Sequence, residues 1–349
     1  MKGGFDILSL VRKNILELKP YASARDEFSG SASVFLDANE NPYNAPLNRY
    51  PDPGQVELKR TLAGLRGQTP ECLFLGNGSD EGIDLLYRVL CEPGKDNVIT
   101  VDPTYGMYGV CAQINDVERR SVLLSGDFSL NADKVLKAVD RHTKMIFICS
   151  PNNPTANSFE KEAILKILDQ AECLVVVDEA YIDFSRNGGV LSLLAEKPNL
   201  VVLQTLSKAW GLAGIRLGML FAQPELVRML SGVKYPYNIN ALTLKEAQAA
   251  LEDPAKAENW VSMILEEREW LTARLKDMEL VLEVKPSDAN FLMVRVKDPG
   301  ALYHFLMERG IIVRDRSSVP LCEGCLRITV GTPEENRLLV NTLRTYRSP

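Results

Sequence analysis

Short apolar runs of strand length recur along the chain at residues 72–75, 97–101, 145–149, 174–177, 200–203 and 219–221. They are too uniformly apolar to alternate in and out, which is the pattern of strands buried on both faces of a parallel sheet. Between them, apolar positions fall three and four apart, as at Ile83, Leu86, Val89 and Leu90 behind the turn Gly76-Asn77-Gly78; that spacing marks one face of a helix. The alternation predicts an α/β domain with a mainly parallel central sheet flanked by helices. Ahead of it, Ile7, Leu8, Val11, Ile15 and Leu18 predict a helix over 5–20 that ends at Pro20, followed by an irregular stretch to Tyr50. After Pro236 a helical region runs from about 242 to 280. The tail alternates a strand at 291–296, a helix at 301–308 closed by Gly310, and strands at 311–313 and 326–330. This predicts a smaller α+β domain. The expected division is 1–45 as an N-terminal arm or part of the small domain, 46–240 as the large domain and 241–349 as the small C-terminal domain.

Composition narrows the classes. A chain of 349 residues, 46% hydrophobic and 25% charged, suits one large core and a smaller one. Forty basic against 46 acidic side chains leave a net charge of −6 with no basic stripe, so nucleic acid is not an expected partner. No apolar run approaches the ~18 residues of a membrane span. The start, Met1-Lys2-Gly3-Gly4-Phe5-Asp6, has an early acid and no long apolar region, so a cytoplasmic location is expected. Seven scattered cysteines predict free, mostly buried thiols. Cys322 and Cys325 have C-x-x-C spacing, but with no second pair and two histidines in the chain no metal site is expected. Neither His142 nor His304 neighbours a serine or cysteine motif that would form a triad.

Three strand ends each deliver a polar group. Ser150-Pro151-Asn152-Asn153-Pro154-Thr155 follows the run at 145–149, and Asp178-Glu179-Ala180-Tyr181 follows 174–177. Ser207-Lys208 follows 201–205, with Arg216 eight residues beyond the lysine. Open α/β sheets hold their ligands at the carboxyl ends of strands. A lone lysine is normally solvated. One left at the end of a buried strand near a fixed cation has a depressed pKa, and its neutral amine attacks carbonyls. Arg216 suits a bidentate grip on phosphate. The segment Gly76–Gly82 opens a helix whose N–H groups suit a phosphate, and it equally suits a plain glycine turn. Its third glycine falls one position late for a dinucleotide fingerprint.

Asn153-Pro154-Thr155, Asp178-Glu179-Ala180-Tyr181 and Ser207-Lys208 with Arg216 resemble the aspartate-aminotransferase type of pyridoxal-phosphate enzyme, fold type I. Asp37-Ala38-Asn39-Glu40-Asn41-Pro42, Arg49-Tyr50-Pro51-Asp52, Gly76-Asn77-Gly78-Ser79-Asp80-Glu81 and Pro103-Thr104-Tyr105-Gly106-Met107-Tyr108 extend the match. So do Ile312-Val313-Arg314-Asp315-Arg316 and Cys325-Leu326-Arg327-Ile328-Thr329-Val330-Gly331. In that order and spacing, nearly the whole chain is similar to the histidinol-phosphate aminotransferase family.

The resemblance implies pyridoxal 5'-phosphate on Lys208, with Asp178 against the pyridine nitrogen. Asn153 and Tyr181 would bond the phenolic oxygen, Tyr105 would stack on the ring, and Ser79, Asp80, Thr205, Ser207 and Arg216 would surround the phosphate. It implies a homodimer in which Tyr50 reaches the neighbouring subunit's cofactor phosphate. Substrate recognition would fall to Tyr21, Arg314 and Arg327. Arg327 would take the glutamate carboxylate and Arg314 the phosphate of histidinol phosphate, with Arg316 close enough to exchange with Arg314. Taken alone, each arginine suits a surface ion pair. The implied reaction is transamination between L-histidinol phosphate and 2-oxoglutarate, giving imidazole-acetol phosphate and L-glutamate, a step of histidine biosynthesis. A threonine-phosphate decarboxylase or an aromatic amino-acid aminotransferase on the same fold stays open, and more remotely a non-catalytic cofactor-binding regulatory protein. Ala156 stands where the family often has glycine and is expected to tighten the turn after Asn153.

Overall fold

In the computed structural model, which describes residues 5–21, 25 and 32–347, the apolar runs join one seven-stranded sheet. Its strands are β1 (Leu73–Asn77), β2 (Asn97–Asp102), β3 (Glu118–Leu123), β4 (Thr143–Cys149), β5 (Leu174–Asp178), β6 (Leu200–Thr205) and β7 (Leu217–Phe221), in the order β1-β7-β6-β5-β4-β2-β3. All run the same way except β7, which is antiparallel to both β6 and β1. Side chains alternate between two cores. Val175 and Val177 enter one and Leu174 and Val176 the other, which is why β5 reads as a continuous apolar run. The first core holds the helices Val56–Leu65 and Lys161–Gln170. The second holds Gly78–Leu90 and Pro224–Val233.

The edge strand β3 is absent from the apolar pattern because it reads Glu-Arg-Arg-Ser-Val-Leu and is largely exposed. Charge on an edge blocks pairing with another chain. Its register on β2 brings Arg119 2.9 Å from Asp102. The helix expected over 5–20 is broken. A 3-10 turn spans Ile7–Leu10, Val11 is extended, and a short helix follows at Lys13–Leu16. The break lets Ile7 and Val11 both reach the second core while Arg12 N–H bonds to the Val89 carbonyl at 2.9 Å. The helical region after residue 241 is two helices, Ala241–Leu251 and Pro254–Lys276, divided where Pro254 starts the second.

Four antiparallel strands form a second sheet. These are β8 (Val281–Val284), β9 (Phe291–Val296), β10 (Arg314–Asp315) and β11 (Cys325–Thr329), in the order β10-β11-β9-β8. The strand expected at 311–313 pairs just beyond that run; Val313 is apolar because it packs in the small core. One face of this sheet covers the helices Pro254–Lys276, Pro299–Met307 and Pro333–Thr345. The other face sends Phe291, Met293 and Cys325 into the first core of the large sheet. That contact fixes β11 over the carboxyl edge of the large sheet. Among the described residues, no helix is long and apolar enough to cross a membrane.

Candidate active site

The carboxyl ends of β1, β2, β4, β5 and β6 share one edge of the sheet. Because β7 runs the other way, the residue just before it, Arg216, arrives at that same edge. The result is a cavity lined by ten of the residues singled out in the sequence: Ser79, Asp80, Tyr105, Asn153, Asp178, Tyr181, Thr205, Ser207, Lys208 and Arg216.

Asp178 closes β5 and is 3% exposed. One carboxylate oxygen accepts the Tyr108 hydroxyl at 2.7 Å and the other accepts the Ala180 N–H at 3.0 Å. Burial raises its pKa above the usual carboxylate range, against the lowering effect of these two donors. Among the described residues it has no ion-pair partner within 4.0 Å, so a buried carboxylate faces the cavity without a bonded cation. Tyr108 carries no signal of its own in the sequence. Its clue is position: three residues after Tyr105, it falls on the same side of a helical turn. It is fully buried, stacked on Phe147 at 4.7 Å and edge-on to Tyr105 at 5.6 Å.

The opposite end of the cavity is a cradle of backbone. Helix Gly78–Leu90 starts there with no side-chain cap from Asn77, leaving first-turn N–H groups for an anion. Gly78 has φ +70°, and a Cβ on it would lie 2.8 Å from an Arg216 nitrogen. A Cβ on Gly218 would lie 2.1 Å from the Ser79 nitrogen, so the close approach of β7 to the helix start requires glycine. Arg216, itself left-handed at φ +56°, accepts the Gly78 N–H through its carbonyl at 2.8 Å and places its guanidinium 3.7 Å from Asp80. Asp80 also accepts the Tyr105 hydroxyl at 3.1 Å. The Thr205 hydroxyl accepts the Ser207 N–H at 3.1 Å and donates to the Leu217 carbonyl at 3.1 Å, tying β6 to β7.

Lys208 stands between the two ends. Its amine lies 5.7 Å from the Tyr181 ring centroid. Burial depresses its pKa, and Arg327 and Arg216 lower it further. Arg327, on β11, donates to the Asn153 side-chain oxygen and lies 5.4 Å from the Phe291 ring centroid. That bond turns the Asn153 amide so that its NH2 is left to donate. Tyr181 is buried, which raises its hydroxyl above the usual range. These residues fit pyridoxal phosphate. A buried carboxylate suits a protonated ring nitrogen, the uncapped helix start with Arg216 and Ser207 suits a phosphate, and a lysine amine of lowered pKa suits the aldehyde.

Three predicted residues do not line this cavity. Tyr50 is 53% exposed and stacks on Tyr237 at 4.5 Å rather than lining this cavity. Tyr21, 76% exposed, borders a separate cavity with Pro53, Lys59 and Arg228. Arg314 is exposed on β10, directly opposite Arg327. Ala156 is fully buried at φ +71°, a left-handed position that explains the glycine expected there. The turn is held by Ala156 N–H to the Asn152 carbonyl, and by the Asp288 N–H to the Ala156 carbonyl, both at 2.8 Å.

Residues 31–343 match the family model for aminotransferase class I and II. A histidinol-phosphate aminotransferase of Parabacteroides distasonis is 55% identical over 342 residues, which span 98% of this chain and 99% of that one. Among solved structures, the histidinol-phosphate aminotransferase of Clostridium acetobutylicum shares the fold at a TM-score of 0.79 and 21% identity, covering 85% of this chain and 90% of that one. The histidinol-phosphate aminotransferase of Sinorhizobium meliloti, solved in complex with pyridoxal-5'-phosphate, gives a TM-score of 0.78 at 25% identity, over 85% of this chain and 83% of that one. With the geometry above, these matches show that the chain belongs to the class I and II aminotransferases and, among them, to the histidinol-phosphate aminotransferase family.

Proposed function

We propose that this protein is a pyridoxal-phosphate-dependent aminotransferase that exchanges an amino group between L-histidinol phosphate and 2-oxoglutarate, giving imidazole-acetol phosphate and L-glutamate. The observation that carries the reading is one cavity holding both a lysine of lowered pKa and a carboxylate buried without an ion pair among the described residues. The full-length relative from P. distasonis supports the substrate.

When bound, pyridoxal phosphate supplies an aldehyde for amines and a ring that accepts electrons. The protein's residues do the rest. Lys208 would hold the cofactor through its amine and, once freed by the incoming substrate, would move the proton at the substrate's α-carbon. Asp178, its oxygens oriented by the Tyr108 hydroxyl and the Ala180 N–H, would hold a proton at the ring nitrogen. Asn153 and Tyr181 would donate to the phenolic oxygen. Tyr105 would pack against the ring. The helix start at Ser79 and Asp80, with Thr205, Ser207 and Arg216, would bind the phosphate. Arg327 would hold the glutamate carboxylate and Arg314 the phosphate of the phosphorylated substrate. We assign residues 46–240 to the large domain, 241–349 to the small one and 1–45 to an arm.

A homodimer in the cytoplasm completes the reading. The exposed aromatic and aliphatic side chains of Val34, Leu36, Tyr43 and Leu47 lie in the same segment as Tyr50 and suit burial against a second subunit. The test is a substrate panel with 2-oxoglutarate as acceptor: histidinol phosphate, phenylalanine, tyrosine and threonine phosphate. Glutamate formed fastest from histidinol phosphate supports the reading. Carbon dioxide release from threonine phosphate, or preference for the aromatic amino acids, replaces it with the corresponding alternative.

A further inference from the structure

The face of the small sheet that carries Arg327 towards Asn153 carries two more arginines. Arg314 lies directly opposite Arg327 across the β10–β11 pair. The ladder continues one step beyond β10, where the Arg316 N–H bonds to the Cys325 carbonyl at 2.9 Å. Opposed residues and residues two apart share a face of a sheet, so Arg314, Arg316 and Arg327 point the same way. That face is the one that sends Cys325 and Met293 into the large-sheet core, towards the candidate active site.

Three like charges side by side repel one another. None of them is in an ion pair among the described residues. The two acidic groups nearest Arg316 do not neutralise it. Asp315 turns away to accept the Ser317 N–H at 2.8 Å and the Ser317 hydroxyl at 2.6 Å. The Cys322 thiol is buried, with its pKa pushed up to about 12, and is therefore uncharged near neutrality. Arg316 is half-buried, and its Nε is shut off from solvent with no hydrogen-bond partner among the described residues. Burial, and then Arg314, lower its pKa, the sign of a cation short of anionic neighbours.

One guanidinium fork satisfies a carboxylate. A phosphate monoester has three terminal oxygens and close to two charges, and it needs more than one fork. We propose that Arg316 is a specificity-determining residue that, with Arg327 and Arg314, grips the phosphate of the phosphorylated amine substrate and is dispensable for glutamate. Its partial burial makes its charge count for more than that of exposed Arg314. This inference rests on histidinol phosphate being the substrate.

The test uses the cofactor-loaded enzyme and the variants Arg316→Gln and Arg316→Lys. kcat/KM is measured in each half-reaction, with histidinol phosphate and with glutamate, together with inhibition by inorganic phosphate and the melting temperature. Arg316→Gln should lose about 10- to 100-fold with histidinol phosphate, mainly through KM, and less than about threefold with glutamate. Phosphate should inhibit it more weakly. Arg316→Lys should fall between, about 3- to 10-fold down with histidinol phosphate, because an ammonium keeps the charge without the fork. If Arg316→Gln does not fold, the lysine variant carries the same comparison. Equal losses with the two substrates, or no loss with histidinol phosphate, overturn the role of Arg316. A wild-type enzyme inactive on histidinol phosphate overturns the proposed function itself, and this inference with it.

Discussion

Replacing Asp178 with asparagine separates what the carboxylate does for the cofactor from what it does for the fold. The side chain is 3% exposed and is held by the Tyr108 hydroxyl at 2.7 Å and the Ala180 N–H at 3.0 Å. Asparagine has the same shape. Its oxygen still accepts from Ala180, and its NH2 donates to a Tyr108 hydroxyl that reverses from donor to acceptor. Only the charge is lost. A hydrogen bond to a charged group contributes about 1.5–3 kcal/mol, so transamination should fall about 10- to 150-fold in kcat. Cofactor-free stability should move the other way. Burial raises the Asp178 pKa in the folded protein above its ordinary 3.8, so the ionised carboxylate costs stability as pH rises through the window between those values. Above that window, cofactor-free Asp178→Asn should melt higher than wild type; below it, the two should coincide. The assay pairs single-turnover rates of the loaded enzymes with melting curves of the cofactor-free proteins at acidic and neutral pH. Near-normal turnover, or a variant that melts lower at neutral pH, would refute this account of Asp178.

Tyr108→Phe removes the donor that helps keep Asp178 ionised, worth about 1 kcal/mol. kcat should fall about fivefold and the acid limb of its pH profile should shift upward; an unchanged profile argues against the contact. Arg327→Ala should lose about 2–5 kcal/mol of binding with glutamate, whereas Arg314→Ala should weaken histidinol phosphate more than glutamate. Equal losses for Arg314→Ala in the two half-reactions contradict its assignment to phosphate. Mixing inactive Lys208→Ala with inactive Tyr50→Ala should restore part of the activity through hybrid dimers with one intact site. No recovery after proven subunit exchange rules out a shared site.

The sequence displayed the large sheet because its central strands are buried on both faces and therefore uniformly apolar. It concealed β3, whose exposed edge is charged, and it blurred the ends of β10, where the apolar run before the strand belongs to the small core. The site was legible where strand ends coincide with chemistry, as at Asn153, Asp178 and Lys208. Arg216 was legible by spacing, but its arrival at the same edge depends on β7 running antiparallel, which no local pattern announces. Tyr108 escaped because a buried tyrosine in an apolar helix reads as core, and its hydroxyl gains meaning only when β2 and β5 lie in one sheet. The face of adjacent arginines escaped as well. Arg314, Arg316 and Arg327 become neighbours only through the β10–β11 register.

Chemical trapping reads out directly whether Lys208 carries the cofactor. Enzyme purified with pyridoxal phosphate is reduced with borohydride, digested, and its peptides mapped by mass. A single pyridoxyl mark is expected on Lys208, in the cavity shared by Asp178 and Arg216. A mark on any other lysine, or no bound cofactor after loading, would contradict it.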